Sequence, residues 1–65
     1  MGILDSEELR EWLRKLAALG KLNELAAVSG IGGGVAELQR IIRSTGEINI
    51  MDRGMLSMSI CGILE

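Results

Sequence analysis

The sequence predicts a small α+β protein: two helices, a glycine-rich turn and a third short helix, followed by a β-hairpin, with an all-α fold as the alternative. Three observations lead there. Apolar residues recur at helical spacing from Leu9 to Ile42, glycines gather at 30–34 and interrupt that run, and beyond Gly46 the apolar positions change to a period of two. The 65 residues read as one domain: a helical pair over 5–29, a hinge at 30–34, a helix over 35–45, and an apolar tail at 47–64 that is hairpin or helix.

Asp5 stands three residues before Glu8, the spacing of a capping box, and Leu4 and Leu9 hold the two positions of a hydrophobic staple. Leu9, Trp12, Leu13 and Leu16 then fall at i, i+3, i+4 and i+7 and make one apolar stripe. Glu7, Glu8, Arg10, Glu11, Arg14 and Lys15 are expected on the opposite, solvated face. Gly20 ends or kinks this helix, and Lys21 to Ser29 resumes the pattern with Leu22, Leu25 and Ala26 on one side. After the glycines, Val35, Leu38, Ile41 and Ile42 share a face. Glu37 in the first turn of that helix and Arg40 and Arg43 in its last suit the helix dipole, and Gly46 is placed to end it.

In the tail, Ile48 and Ile50 alternate with Glu47 and Asn49, and Leu56, Met58 and Ile60 alternate with Ser57, Ser59 and Cys61. Gly54 between them suits a short turn, which predicts a hairpin. The competing pattern is a helix from about Met51, since Met51, Met55 and Met58 fall at i, i+4 and i+7. A lone hairpin is marginal in water, so it must pair its edge with another copy or lie on the helices.

Composition narrows the function. A chain of this length buries only about 60% of its unfolded surface, so its core is thin. It has no histidine and one cysteine, Cys61, which leaves no internal disulfide and no Cys/His zinc cage as a staple. Apolar residues make up 48% of it and its mean hydropathy is +0.31. Apolar excess without a staple predicts a partner, either a second copy in a homo-oligomer or another protein. A net charge of −2 argues against nonspecific binding to nucleic acid or anionic lipid. The longest apolar run, Met55 to Leu64, is far short of the roughly 20 residues a membrane span takes. No targeting signal is evident, Gly2 being at most the start of a myristoylation site, and a cytoplasmic protein is expected.

Catalysis has little material here. Without histidine, a general base near neutral pH would be a carboxylate or lysine of shifted pKa; Glu7 and Glu8 are adjacent and so point to different sides of a helix, and Cys61 lacks an activator. The expectation is a non-enzymatic chain with no catalytic residue, cofactor or metal. Gly30-x-Gly32 opens a helix as a dinucleotide fingerprint does, but Val35 takes the third glycine position; no Gly-Lys-Ser/Thr follows to make a P-loop. What survives is generic: the amides of Gly33, Gly34 and Val35 at a helix N-terminus can hold an anion.

Further patterns carry resemblances. Ala26, Gly30 and Ile31 have the spacing of the small residue, turn glycine and following apolar residue of a helix-turn-helix, which this region of the chain resembles. That implies a DNA-binding regulator with Val35 to Ser44 as recognition helix and Arg40 and Arg43 on phosphates, although Gly32, Gly33 and Gly34 offer no side chains to base edges. Glu24-Leu25-Ala26-Ala27-Val28-Ser29-Gly30 resembles the end of the double-glycine leaders of bacteriocin precursors. This implies a ribosomal peptide precursor with Ser44, Thr45, Ser57, Ser59 and Cys61 as modifiable residues. Ala36-Glu37, Gly46 and Ser59-Ile60-Cys61-Gly62-Ile63 are faintly similar to gas-vesicle shell proteins, implying an aliphatic hairpin that assembles with copies of itself. The reading favoured by composition is a small structural or adaptor protein acting through self-association or docking to a protein partner, with Leu9, Trp12, Leu13, Leu16, Leu56, Met58 and Ile60 as its interface.

Overall fold

The computed structural model describes residues 3–64, which leaves Gly2 outside the described residues. It contains four helices and, among the described residues, no strand: α1 Ser6–Ala18, α2 Leu22–Ser29, α3 Gly34–Arg43 and α4 Ile50–Leu64. The all-α alternative therefore holds, and the β-hairpin is corrected to a helix.

Each end has a local cause. Asp5, extended at φ −76° and ψ 174°, takes the Glu8 N–H on its carboxylate at 2.8 Å and caps α1. At the other end Gly20 sits at φ +72°, its N–H bonds the Ala17 carbonyl at 3.0 Å, and the Lys21 N–H reaches Leu16 at 2.8 Å. That pair of bonds is the Schellman arrangement, in which a left-handed residue lets the last carbonyls find donors. α3 begins where Gly33 adopts φ +91°. A side chain there would be strained, and its Cβ would lie 3.0 Å from the Cβ of Glu37. α3 stops at Arg43, ahead of the expected 45, because Ser44 turns extended and its hydroxyl bonds the Ile41 carbonyl at 2.7 Å.

α4 starts where a strand was expected. The Asn49 side chain accepts the Met51 N–H at 2.8 Å, and the Arg53 N–H bonds the Asn49 carbonyl at 2.9 Å, so Asn49 caps the helix. The alternation of Leu56, Met58 and Ile60 with serines failed as a guide because burial there follows a helical face. Leu56 and Ile60 are buried together with Ser57 and Ser59, while Met58 is 77% exposed. A strand would have put Leu56, Met58 and Ile60 on the same side. The buried hydroxyls are satisfied without a sheet: Ser57 accepts the Leu4 N–H at 3.0 Å and Ser59 donates to the Met55 carbonyl at 2.9 Å. Gly54, expected in a turn, lies inside the helix without a positive φ.

The core draws Leu9, Leu13 and Leu16 from α1, Leu22 and Leu25 from α2, Leu38 and Ile41 from α3, and Leu56 and Ile60 from α4. Ile31 of the glycine turn and Ile48 of the last connection plug its ends. α4 packs on α1 and α2, and α3 closes the opposite side against the same two helices. The accessible surface, 4016 Å², is close to the roughly 4,000 Å² expected of a compact monomer of this mass.

Arg10 departs from the helical-wheel expectation: it is only 2% exposed. Its guanidinium reaches out of α1 to the end of α3, donating from Nε to the Ile41 carbonyl at 3.4 Å, from Nη2 to the Ser44 hydroxyl at 3.4 Å and to the Gly46 carbonyl, and from Nη1 to Glu7 at 3.0 Å. Beside it, the Ile48 N–H donates to the Ser6 hydroxyl at 2.8 Å, and Arg53 Nε donates to the Ile48 carbonyl at 3.1 Å.

Arg10→Ala is expected to lower the unfolding free energy by about 2–4 kcal/mol, since it removes a buried side chain that ties α1 to the end of α3 and leaves a void. Urea unfolding followed by Trp12 fluorescence measures this, and an unchanged midpoint would remove the tie. Gly54→Ala is expected to stabilise by about 0.5–1 kcal/mol, because helical alanine outranks glycine. The added Cβ meets nothing nearer than Ile3 Cδ1 at 3.6 Å. A hairpin glycine of positive φ would give the opposite sign.

Candidate interaction surface

The residues expected to form an interface fall into two groups. Leu9, Leu13, Leu16 and Leu56 are 0% exposed and Ile60 is 3% exposed, so the fold itself already covers them. Trp12 is half-buried against the core, with Lys15 Nζ 4.7 Å from the centre of its ring. Met58 alone among the seven stands in solvent.

Around Met58 lies a surface that composition alone did not locate. At 100° per residue, Met51, Met55, Met58 and Gly62 fall within about 60° of one another on the side of α4 turned away from the core. Met51 is 80% exposed, while Met55 leans partly into the core. From Gly54 to Leu64 no residue carries a charge, so neither face of α4 is polar in the usual sense of an amphipathic helix. Ile3, 54% exposed, runs alongside, with its Cδ1 3.6 Å from where a Gly54 Cβ would sit. Ile50, 57% exposed, extends the patch at the start of the helix. The signal that pointed to this face was the i, i+4, i+7 spacing of the methionines, which the alternation of the same segment overrode.

The glycine turn forms a second feature. Residues 30–33 join α2 to α3, with Gly30 left-handed at φ +68° and its N–H on the Ala26 carbonyl at 3.0 Å. Ser29 Oγ accepts the Ile31 N–H at 3.3 Å, and Ile31 is drawn inward as a plug. Ala26 lies in α2, Gly30 caps it and Ile31 follows in the turn. Further along α3, Arg40 Nε donates to Glu37 at 2.9 Å in a two-point pair. The hydrogen bond from Arg40 holds the Glu37 carboxyl below its ordinary pKa against the opposing effect of desolvation, and Glu37 in turn raises Arg40. Arg43 is exposed. The segment Glu24–Gly30 belongs to α2 and its cap, and Leu25 within it is fully buried.

Asp5, Ser6, Glu7, Glu47 and Arg53 line an open depression, where Arg53 is already committed to the Ile48 carbonyl. Among the described residues no group of three Asp, Glu, Cys or His side chains is arranged to hold a metal ion, and Cys61 is a free thiol, half-buried on α4. No helix among them is long and apolar enough to cross a membrane. Compared with protein-family models, curated proteins and solved structures, the chain has no match in any of the three.

Proposed function

We propose that this chain is a non-enzymatic structural or adaptor subunit that works by self-association, through the outer face of α4. The observation that supports it is that Met51 and Met58 stand 80% and 77% exposed on a helix that carries no charge over its last eleven residues. Methionine suits such a role, because its flexible thioether adapts to the opposing surface. A neutral face makes no demand for a partner of opposite charge, so a second copy of the same face satisfies it. The leucine stripe of α1 drops out of the interface, since α1 spends it on the core.

Sedimentation velocity from 1 to 200 µM tests the reading. A mass rising above 7.0 kDa is expected, and Met51→Glu with Met58→Glu is expected to hold the chain at one copy while leaving its helical circular dichroism intact. A wild-type chain that stays monomeric throughout would sink it.

A second reading is favoured by the α2–turn–α3 unit. Gly32 and Gly33 before α3 carry no side chains, and the Gly34 N–H is taken by the Ile31 carbonyl, so any nucleic acid held there would be bound through backbone amides to phosphate and not by base edges. Two duplexes of unrelated sequence are then expected to shift alike in a gel at low salt and to be released together as salt rises. Absence of a shift at low salt removes this reading.

A further inference from the structure

We propose that the groove where α3 lies against α1 and α2 is a docking site for an acidic, aliphatic segment of another protein. The site is separate from the outer face of α4, which contributes none of its lining residues, and it does not depend on self-association. Its lining is Ala17 of α1, Leu22 of α2, and Gln39, Ile42 and Arg43 of α3, around an open space of about 280 Å³. Leu22 is buried and Ile42 packs on the core, so the floor is aliphatic and held in place by the fold. Ala17 and Gln39 are exposed beside it, the first too small to fill the space and the second offering an amide.

Charge decides what the groove accepts. Arg43 stands exposed on one rim. Arg14, also exposed, lies on the α3 side of α1: it follows Arg10 by four residues and precedes Ala17 by three, within about 60° of both around the helix. Arg10 reaches the Ile41 carbonyl and Ala17 lines the groove, so Arg14 lies along α1 between two points that meet α3. The other guanidinium groups have partners within the chain, Arg10 with Glu7, Arg40 with Glu37 and Arg53 with the Ile48 carbonyl. Among the described residues neither Arg14 nor Arg43 forms an ion pair. A guanidinium takes a carboxylate through two parallel hydrogen bonds, while its stem lies along apolar surface. A segment with an aliphatic side chain flanked by Asp or Glu therefore satisfies floor and rims together. Two other occupants fit less well. A phosphate backbone offers nothing to an aliphatic floor, and Arg40, the next cation along α3, is already neutralised by Glu37. A second copy placed by a twofold axis would lay this face on itself and set guanidinium against guanidinium.

The probe is a fluorescein-labelled peptide, Asp-Glu-Leu-Leu-Glu-Asp, titrated with the intact chain and followed by anisotropy. Saturable binding is expected, weakened roughly tenfold or more by Arg14→Gln with Arg43→Gln. A peptide with serine in place of both leucines is expected not to bind, because floor and rims act together. Both arginines are exposed, so the double variant is expected to keep its helical circular dichroism. Ala17→Leu, which fills the groove and leaves the charges in place, is expected to weaken binding as well. In heteronuclear NMR of the bound chain, the amide shifts are expected at Ala17, Leu22, Gln39 and Ile42 and not at Met51 or Met58. No saturation up to about 1 mM peptide would overturn the inference, as would an affinity unchanged by the double variant. Equal binding of the serine peptide, or of duplex DNA, would show a generic anion surface and overturn it too. Self-association lost in the double variant would place a second copy in the groove, against the inference. A chain that stays monomeric and binds the peptide leaves it standing.

Discussion

A charged group in the core of a small protein is tolerated only where its donors are met, and Arg10 shows how much arrangement that requires. Its guanidinium lies where the carbonyls of α3 run out, and it takes up the Ile41 and Gly46 carbonyls together with the Ser44 hydroxyl. The end of a helix is also the negative end of its dipole, so the contact is favourable in charge as well as in hydrogen bonding. Among the described residues no buried side-chain polar atom is left without a partner. Because the same side chain holds α1, the end of α3 and the 44–46 connection, it decides where the chain emerges. Ile48 then sits as a plug, bonded to Ser6 and Arg53, and Asn49 is placed to cap α4.

With that geometry fixed, the apolar side chains divide unevenly. α1, α2 and α3 turn their large apolar residues mainly inward and fill one core with α4, while α4 carries more apolar surface than one side of a helix can bury. Leu56 and Ile60 go in, and Met51 and Met58 stay out. Burying a methionine side chain is worth about 1.5–3 kcal/mol, so leaving two in water forgoes stabilisation that an opposing surface can recover. This is the physical basis for reading the chain as a component of an assembly.

Much of the helical half was legible from residue order. Asp5 as cap, Leu9, Leu13 and Leu16 as a buried stripe, Gly20 as a terminator, and Leu38 and Ile41 as the inner face of α3 all follow from local rules acting over one to four residues. α4 was not, because Leu56 to Cys61 satisfies a period of two and a period of 3.6 at once, and two glycines lower its helical propensity. The Asn49 cap was the clue in favour of a helix, four residues before the Arg53 N–H that closes the first turn.

Residue order alone was enough to place three helices between 6 and 43 and the glycine turns that separate them. Tertiary structure alone decided which apolar residues are hidden. Leu56 and Ile60 vanished from the candidate interface because α1 and α2 offer α4 a surface to pack on, and Arg10 left the solvated face because acceptors at the end of α3 and in the 44–46 connection lay within its reach. Periodicity fixes the side of a helix on which a residue lies; only the neighbouring helices determine which side faces water. For Met51 and Met58 of α4, the neighbouring helices leave their side facing water.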